Sequence, residues 1–547
     1  MAAPVLIAGG GPVGMTCALA LAQHGVPVAL FERNPETTRH PKMDITNGRS
    51  LELFRRLGVA ERLRAVAVPP DHPLDVSWVT SMAGHELHRF PYAAPNEQRA
   101  AFAAANDGRQ PLEPAMRVSQ VVIEPVLKAA VLAEPLIASH WGAAVEDVAQ
   151  DAAGVTLTVR DRASDAVRQV RGRYLVGCDG GGSAVRRALG LAVEGQHAVA
   201  NRFMIHFRSR ARAVLQRFGI AWHYQSPRGT LIAQDDDAVY TLHARFPDGT
   251  DTAHVDPLPT LFAALGTEID AEILVANPWT PHLLLAERYR EGRVFLAGDA
   301  AHQYIPTGGY GMNTGIGDAI AIAWMLAGAV QGWGGPALLD AYDAERRPIG
   351  RINRDWSERH TGVRLDIASA YAAHPDADRD PAERQALANA IAAAGNLENE
   401  AFGLEFAYRY DASPLVAPLL EREPGPAPPA DVRAIPAMAW PGMRAPHLFD
   451  DAGRAIFDRL AVNGLTLLRF NGRGDPAPVR DAARRLGVPL HLVEVQSERA
   501  RQVYGADLAL IRPDQHLAWR GNEADGQALA IACGRAPNGG TEGAPNA

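Results

Sequence analysis

Three glycines near the start of the chain have the spacing of a dinucleotide-binding turn. Gly9, Gly11 and Gly14 join an apolar strand to an apolar helix within residues 5–25, and a second apolar strand then ends at Glu32. In such a turn the first glycine makes the tight bend, the second lets the backbone approach a pyrophosphate, and the third allows close packing of helix on strand. The pattern predicts binding of an adenosine diphosphate group; the alternative is a glycine-rich turn without a ligand.

The same unit predicts how that nucleotide is held. The first turn of the helix offers unpaired N–H groups and the positive end of the helix dipole to the phosphates. Glu32 can accept hydrogen bonds from a ribose 2′-hydroxyl and would repel a 2′-phosphate, which favours an unphosphorylated adenosine ribose. Pro12 and Val13 in the turn, and Arg33 after the acid, complete the predicted contacts of this half of the ligand.

A second glycine-rich stretch, residues 293–319, has the chemistry to hold a planar ring. An apolar strand ends at Gly298 and Asp299, where a carboxylate can bond a polyol chain that crosses the strand end. Glycines within 308–317 allow the backbone to lie flat against a ring, and Asn313 precedes a predicted helix whose N-terminus can stabilise negative charge. These features favour FAD over NAD; the alternative is a loop that merely joins a strand to a helix.

Together with a third motif, these stretches resemble a known enzyme family. The third motif, residues 178–190, contains Asp179, Gly180, Ser183 and Arg186. In this order and spacing the motifs resemble those of the class A flavoprotein monooxygenases, the group that contains p-hydroxybenzoate hydroxylase. The resemblance is strongest to the phenol and polyketide hydroxylases with a C-terminal thioredoxin-like domain. It covers most of residues 1–360 and returns at 504–521.

The resemblance implies contacts to FAD along all three motifs. In addition to the N-terminal residues named above, they are Lys42, Arg117, Gln120, Asp179, Gly180, Gly298, Asp299, Pro306, Gly309, Gly311, Met312 and Asn313. Lys42 stands where the family commonly has an arginine on the pyrophosphate, so the charge is kept but the bidentate fork is lost. Asp299 corresponds to the contact with the ribitol, and Pro306 to the proline beside the reacting face of the ring.

The resemblance also implies a reaction in two halves. NADH or NADPH reduces the flavin, and the reduced flavin then captures O2 as a C4a-hydroperoxide that transfers its outer oxygen to an electron-rich substrate. That substrate is expected to be a phenolic or polycyclic aromatic molecule, whose identity the sequence leaves open. Because the chain has no second GxGxxG motif, the nicotinamide cofactor is expected to bind transiently across the region of Asp179.

The base that would activate a phenol has weaker signals. His223 and Tyr224 are the catalytic candidates besides Pro306, and they are adjacent on a predicted strand, so at most one of them faces the ring. The alternative for each is a buried side chain with a structural hydrogen bond. Other polar residues receive structural interpretations: His302 supports its loop, Tyr304 and Tyr310 line the pocket or pack in the loop, and Asp235–Asp237 form a solvated turn.

The predicted fold is α/β, with a Rossmann-like FAD-binding domain, an inserted antiparallel-sheet substrate domain and a C-terminal thioredoxin-like domain. The FAD-binding domain is predicted at 1–73, 116–185 and 285–360, and the substrate domain at 74–115 and 186–284. A helical segment (361–423), a proline-rich linker (424–446), the thioredoxin-like domain (447–534) and a disordered tail (535–547) follow. No cysteine pair occupies the place of a redox site, so this last domain is predicted to be structural or oligomeric.

Composition argues against several classes of function. The 547 residues carry a net charge of −8 with a pI near 6.1, which gives no electrostatic footprint for nucleic acid. Three widely spaced cysteines predict neither a disulfide framework nor a zinc site, and we expect no metal. The longest apolar run, 319–330, is too short to span a bilayer, and a strand starting at Val5 leaves no room for a signal peptide. We therefore expect a cytoplasmic protein without membrane association; a homodimer is an expectation of the family alone.

Two other functions compete with hydroxylation. A flavin-dependent halogenase or a prenyl-chain reductase would share the cofactor fold, but the tryptophan-rich WxWxIP segment of halogenases is absent. A binding protein that keeps FAD as a structural ligand is the second alternative, and the loop at Pro306 and the motif at Asp179 argue against it. The sequence thus predicts an FAD-dependent aromatic hydroxylase.

Overall fold

A six-stranded sheet organises the first domain of the computed structural model, which describes residues 3–246, 250–418, 427–524 and 526–535. Its strands, in spatial order, are Arg290–Glu291, Val294–Leu296, Tyr174–Gly177, Val5–Ala8, Val28–Glu32 and Ile137–Trp141. Neighbouring strands are parallel except at the Arg290–Glu291 edge. Strand Val5–Ala8 is buried along its whole length, which is why its sequence is an uninterrupted apolar run.

The other elements of this domain bring the two glycine-rich stretches together. Its helices are Pro12–Gln23, Gly48–Arg56, Ala60–Arg64, Gln120–Ala133, Ala184–Ala188, Tyr310–Gln331 and Ala337–Ala373. Smaller sheets join Ala143–Gln150, Val155–Asp161 and Val167–Gly172; Ile45–Thr46 and Met116–Arg117; and Val193–Gln196, Leu283–Ala286 and His302–Gln303. Helix Pro12–Gln23 packs directly against helix Tyr310–Gln331. The N-terminal glycine turn therefore lies beside the second glycine-rich stretch, where Val13 is next to Gly298 and Gly315.

Helix Tyr310–Gln331 is the core helix of the domain. Within the described ranges it is the one helix long and apolar enough to cross a bilayer, and 83% of its most apolar stretch is buried inside the protein. Its buried residues run without a break from Asp318 to Gly328. A helix that is surrounded by protein on all sides needs this composition.

A seven-stranded sheet forms the second unit, and its two faces differ in character. Its strands, in order, are Glu272–Trp279, Arg202–Arg208, Val239–Arg245, Gly229–Ala233, His223–Ser226, Val76–Val79 and Glu86–Phe90, all within the segments predicted for the substrate domain. One face packs on helix Pro257–Leu265 through Phe203, Ile205, Phe207, Tyr240 and Leu242. The opposite face, called the polar face below, carries His206, His223, Gln225, Thr230, Ile232, Thr241, His243 and Arg245. This alternation is typical of a sheet with one apolar side.

The C-terminal domain is a four-stranded mixed sheet with three helices. Its strands lie in the order Leu490–Val495, Leu465–Phe470, Leu508–Ile511 and Leu517–Gly521, and the first two are parallel. The helices are Ala477–Leu486, Glu498–Tyr504 and Gly526–Ala532. The middle helix is capped by Ser497, whose hydroxyl accepts the N–H of Ala500. All three cysteines of the chain are free thiols.

The helical segment and the predicted linker connect these units. The remaining helices are Arg212–Leu215, which packs in the apolar cluster of the seven-stranded sheet, and Pro95–Ala105, Pro381–Ala394 and Phe402–Phe406. The described part of the predicted linker, 427–446, contains no helix or strand, and its second half is packed into the protein, because Ala439, Met443 and Ala445 are buried. Prolines interrupt regular hydrogen bonding without preventing burial. Residues 424–426 lie outside the described ranges, as does the predicted disordered tail apart from Arg535, which donates to the carbonyls of Gly332 and Trp333.

Candidate active site

The N-terminal turn accepts only glycine at two of its positions. Gly9 has a φ of +107°, and a Cβ there would collide with the carbonyl of Cys178. A Cβ on Gly14 would collide with the carbonyl of Gly9, so the helix lies directly on the turn. At Gly11, by contrast, no atom lies within 4 Å of the Cβ position. The backbone at Gly11 therefore borders open space beside the first helical turn, where the N–H groups have no intrahelical partner.

Glu32 closes one end of this space and is held in place by backbone groups. Its carboxylate accepts hydrogen bonds from the N–H of Gly10 at 2.7 Å and from the N–H of Asn34 at 2.8 Å. The other residues predicted for this half lie around the turn: Pro12 is the first residue of the helix, Val13 packs beside Gly298, and Arg33 and Lys42 are exposed.

The second glycine-rich stretch presents a carboxylate without a protein partner. Strand Val294–Leu296 leads into a tight turn at Gly298, whose φ is +61°, and this turn leaves Asp299 exposed. Across the described residues nothing donates a hydrogen bond to the Asp299 carboxylate. It is thus available to hydroxyl groups of a ligand.

The core helix begins earlier than the sequence predicts. Its N-cap is Gly309, with a φ of +66°, so Asn313 lies within the helix rather than ahead of it. The Asn313 side chain donates to the carbonyls of Gly309 at 2.7 Å and Ile45 at 3.3 Å, and it accepts the N–H of Asn47 at 3.1 Å. Asn313 therefore ties the start of the helix to the strand Ile45–Thr46.

The loop ahead of this helix forms a second open cradle. Pro306 is exposed, and its carbonyl accepts the N–H of Gly309 at 2.9 Å. No atom lies within 4 Å of the Cβ position at Gly311, and Met312 is half-buried. The unpaired N–H groups and positive dipole end of a long helix therefore border this open space.

One buried carboxylate, that of Asp318, fixes the turn and the loop together. It accepts the N–H of Gly298 at 3.2 Å, lies 2.8 Å from Nε2 of His302, and accepts Nε–H of Arg346 at 2.8 Å. Burial alone would raise the pKa of Asp318, but Arg346 and His302 outweigh it and hold the pKa below its usual value. The carboxylate is therefore ionised at neutral pH, and His302 has the supporting role expected of it.

The motif around Asp179 is hydrogen-bonded to the turn that follows Gly298. The Asp179 carboxylate accepts the hydroxyl of Ser183 at 2.5 Å and the N–H of Val185 at 3.1 Å, so it caps helix Ala184–Ala188. Gly180 has a φ of +80°. Arg186 donates to the carbonyl of Ala300 at 2.7 Å, which links this motif to the turn that carries Asp299.

Arg117, one of the predicted FAD contacts, forms a buried ion pair within the protein. Its two terminal nitrogens bond to the carboxylate of Asp236 at 2.5 and 2.7 Å, and one of them also bonds to the carbonyl of Ala233. Asp236 is consequently buried, with 7% exposure, so the prediction of a solvated turn at Asp235–Asp237 is wrong for its middle residue. Gln120, from the start of the next helix, donates to Glu124 at 2.7 Å.

The two catalytic candidates on the sheet point in opposite directions. Tyr224 lies in the apolar face, where its hydroxyl donates to the carbonyl of Gly219, so it is not a candidate base. His223 lies on the polar face with Nε2 3.4 Å from Oδ2 of Asp44. The indole N–H of Trp222 donates to the same oxygen. Asp44 is a functional candidate that the sequence analysis missed, because no motif surrounds it.

Electrostatics favour a charged Asp44. Burial acts to raise its pKa, but the bonds from His223 and Trp222 and the charge of Arg117 lower the pKa of Asp44 below its usual value. Two backbone bonds hold the segment: the N–H of Val118 bonds to the Asp44 carbonyl at 2.9 Å, and the N–H of Gln120 bonds to that of Met43 at 2.9 Å. The imidazole and the carboxylate therefore meet in a fixed geometry at the junction of the two domains.

Other buried polar atoms of the polar face have no protein partner. Within the described ranges, Nδ1 of His223, Nδ1 of His243 and Nε2 of Gln225 are buried and form no hydrogen bond. Burial lowers the pKa of His243 to about 4, so this imidazole is neutral at physiological pH. Buried polar groups are ordinarily paired, and such a cluster on one face is typical of a ligand site.

The residues present fit an extended flavin nucleotide. Open space borders Gly11 at one end and Gly311 at the other, and the two helices that begin at these glycine-rich stretches pack on each other. Glu32 and Asp299 offer carboxylate acceptors for the ribose and the ribitol, and two helix N-termini face the charged groups between and beyond them. No cluster of three or more potential metal ligands occurs in the described part of the chain.

Comparisons with known proteins confirm the predicted family and cofactor. The FAD binding domain family matches residues 2–357, and the family of C-terminal domains of aromatic-ring hydroxylases matches residues 438–536. Among solved structures, the flavin-dependent monooxygenase PieE, crystallised with FAD and substrate, superposes with a TM-score of 0.88 at 28% identity. That match covers 98% of this chain and 100% of the other.

Curated relatives of similar length are monooxygenases. The FAD-dependent monooxygenase apdD of Emericella nidulans is 36% identical over 96% of this chain and 88% of its own length. The 4-methyl-5-nitrocatechol 5-monooxygenase of a Burkholderia species is 32% identical over 95% of this chain and 94% of its own length. The chain is therefore an FAD-dependent monooxygenase by family, and the fold prediction is confirmed with it.

Replacement of Asp299 by alanine tests the ring end of the site. Loss of a charge-assisted bond to the ribitol is expected to weaken FAD binding by about 1.5–3 kcal/mol, or roughly ten- to a hundredfold in Kd. The measurement is titration of apoprotein with FAD, followed by quenching of flavin fluorescence. Asp340→Ala, which removes an exposed carboxylate bonded to Arg290, is the matched control. Equal Kd values for the two variants would contradict the assignment.

Proposed function

The chain belongs to the FAD-dependent aromatic-ring hydroxylases, and we propose that it hydroxylates a phenolic substrate with NADH or NADPH as electron donor and O2 as oxidant. The observation that carries this proposal is the pair formed by Asp44 and His223, which joins the cofactor domain to the polar face of the sheet. The neighbouring residue Ile45 is tied to the start of the core helix through Asn313. A base on the polar face would therefore act beside the ring end of the cofactor site.

Bound FAD supplies the chemistry of electron transfer and oxygen activation. The protein must hold the substrate, move its phenolic proton and keep water away. An apolar cluster of Ile45, Trp222 and Ile232 flanks the Asp44–His223 pair and supports the last of these tasks. Exclusion of water strengthens the electrostatic interactions within the site.

His223 is suited to take the proton of a phenol. Because Asp44 accepts the bond from Nε2, the neutral imidazole has its acceptor lone pair on Nδ1, and that atom is buried without a partner among the described residues. In the proposed step the phenolic O–H bond breaks and an N–H bond forms at Nδ1 of His223. Ionised Asp44 then stabilises the imidazolium, while the phenolate gains electron density at its ortho and para carbons.

We propose that the nicotinamide cofactor binds transiently, since the chain carries a single dinucleotide-binding turn. The region of Asp179 remains the proposed place, because its motif connects through Arg186 to the turn of Asp299. The names of the relatives support an aromatic substrate with an acidic hydroxyl: the Burkholderia enzyme is named for a nitrocatechol.

Turnover with a panel of phenols tests the proposed reaction. Purified holoprotein with NADH or NADPH is expected to consume reductant and O2 faster when a suitable phenol is present. The product should gain one oxygen atom derived from isotopically labelled O2, detected by mass spectrometry. Reductant oxidation that no phenol accelerates, with hydrogen peroxide as the only product, would contradict the proposal. Product formation that requires chloride or bromide would indicate a halogenase instead.

Substitution of His223 tests the assigned base. His223→Gln is expected to lower kcat by roughly a hundredfold or more at neutral pH, because the phenol then lacks its proton acceptor. The loss should shrink as pH rises and the phenol ionises in solution, and Asp44→Asn should show the same pH trend. Tyr224→Phe is the matched control, since it alters the adjacent residue on the opposite face. A pH-independent loss of kcat, or none, would exclude His223 as the base.

A further inference from the structure

Arg245 is a cation on the polar face without an ion-pair partner in the part of the chain that the structure describes. It is the last residue of strand Val239–Arg245, in which Tyr240, Leu242 and Ala244 pack in the apolar cluster of the other face. Alternation therefore places Arg245 on the same face as Thr241 and His243. Within the described residues no carboxylate lies within ion-pair distance of its guanidinium, although it is only partly exposed.

Its charged neighbours make the absence of a counter-ion more costly. Arg202 lies directly opposite Arg245 on the neighbouring strand, and Arg364 approaches from helix Ala337–Ala373. Glu398, the carboxylate that acts electrostatically on Arg245, already forms an ion pair with Arg364 at 2.8 Å. Burial, then Arg364 and Arg202, lower the pKa of Arg245 to about 10, while Tyr371 and Glu398 act in the opposite direction. Arg245 thus stays cationic at neutral pH, and like charges opposite each other in a sheet are destabilising.

Unpaired polar groups lie beside this arginine on the same face. Thr230 is opposite both Gln225 and His243 in the sheet register, and His243 is two residues before Arg245. Gln225 is fully buried; its carbonyl accepts the hydroxyl of Thr230 at 2.7 Å, but its Nε2 has no partner in the described ranges. These groups are independent of the charge on Arg245 and also indicate that a ligand completes the polar face.

The sheet register gives the distance between Arg245 and the proposed base, His223. His223 is opposite Ile232, and Ile232 is opposite Thr241, four residues before Arg245. At about 3.4 Å per residue, the two backbone positions are separated by roughly 14 Å along the strand direction. A substrate that reaches both residues must therefore be longer than a single substituted ring.

We propose that Arg245 binds a carboxylate of the substrate, at the end opposite to the phenol that His223 deprotonates. The substrate class is then an extended aromatic molecule with a phenolic hydroxyl at one end and a carboxylate at the other. The guanidinium fork matches the planar carboxylate in a bidentate bond, and the bound anion supplies the counter-charge that Arg245 lacks among the described residues. The inference rests on the proposed hydroxylation for the role of the phenol, but binding of the acid is a separate property.

Binding of a matched pair of probes tests this site. Holoenzyme is titrated by calorimetry with 4′-hydroxybiphenyl-4-carboxylate and with the corresponding carboxamide, which differ in charge and hardly in shape. The wild-type protein is expected to bind the acid at least about tenfold more tightly than the amide. Arg245→Gln should abolish this preference, and Arg245→Lys should keep part of it. Arg208→Gln, which removes an exposed arginine of the same sheet paired with Glu272, should leave the preference unchanged.

The outcomes separate this inference from the proposed reaction. Equal affinity for acid and amide, no measurable binding of the acid by the wild-type protein, or a preference that survives in Arg245→Gln would each overturn the inference. Tight, Arg245-dependent binding of the acid without any hydroxylated product would support the carboxylate site and count against the proposed hydroxylation.

Discussion

The carboxylate of Asp318 is the point on which the ring end of the site depends. Three separate elements converge on it: the turn through the N–H of Gly298, the loop through His302, and the long helix through Arg346. A buried carboxylate with this set of partners is stable only while each partner stays in place. The positions of Asp299 and of the loop that follows it are therefore consequences of one interaction in the core.

The C-terminal domain is connected to the same buried network. Arg346 also bonds to the hydroxyl of Tyr410 at 3.1 Å, and the ring of Tyr410 stacks on His516 of that domain at 4.3 Å. Beside it, Arg512 of the C-terminal domain forms two 2.6 Å bonds with Glu345, the residue that precedes Arg346. Removing one side chain from such a buried network would leave the remaining charges without partners. The C-terminal domain therefore stabilises the cofactor site without any cysteine chemistry of its own.

Features that depend on residues close together in the sequence could be predicted from it, whereas contacts between distant segments could not. The turn from Gly9 to Gly14 is dictated by collisions within one strand–turn–helix unit, so its role, like the fold class and family, was accessible. Alternation along a strand correctly predicted that His223 and Tyr224 lie on opposite faces of the sheet. It could not predict which of the two faces the cofactor domain. Asp44 lies 179 residues from His223 in an irregular segment, and no local pattern predicts that meeting. Asp236 has the sequence of an exposed turn but is buried, with its carboxylate bonded to Arg117 and His72 from distant parts of the chain.

The dependence of the ring end on Asp318 is tested most directly by the Kd for FAD of Asp318→Asn and of the double variant Asp318→Asn/Arg346→Met. The single variant is expected to bind FAD at least about tenfold more weakly, since the anchor of the Gly298 turn is lost. The double variant leaves no unpaired buried guanidinium and should regain stability, yet its affinity for FAD should stay low. Wild-type affinity in either folded variant would contradict the central role of this carboxylate.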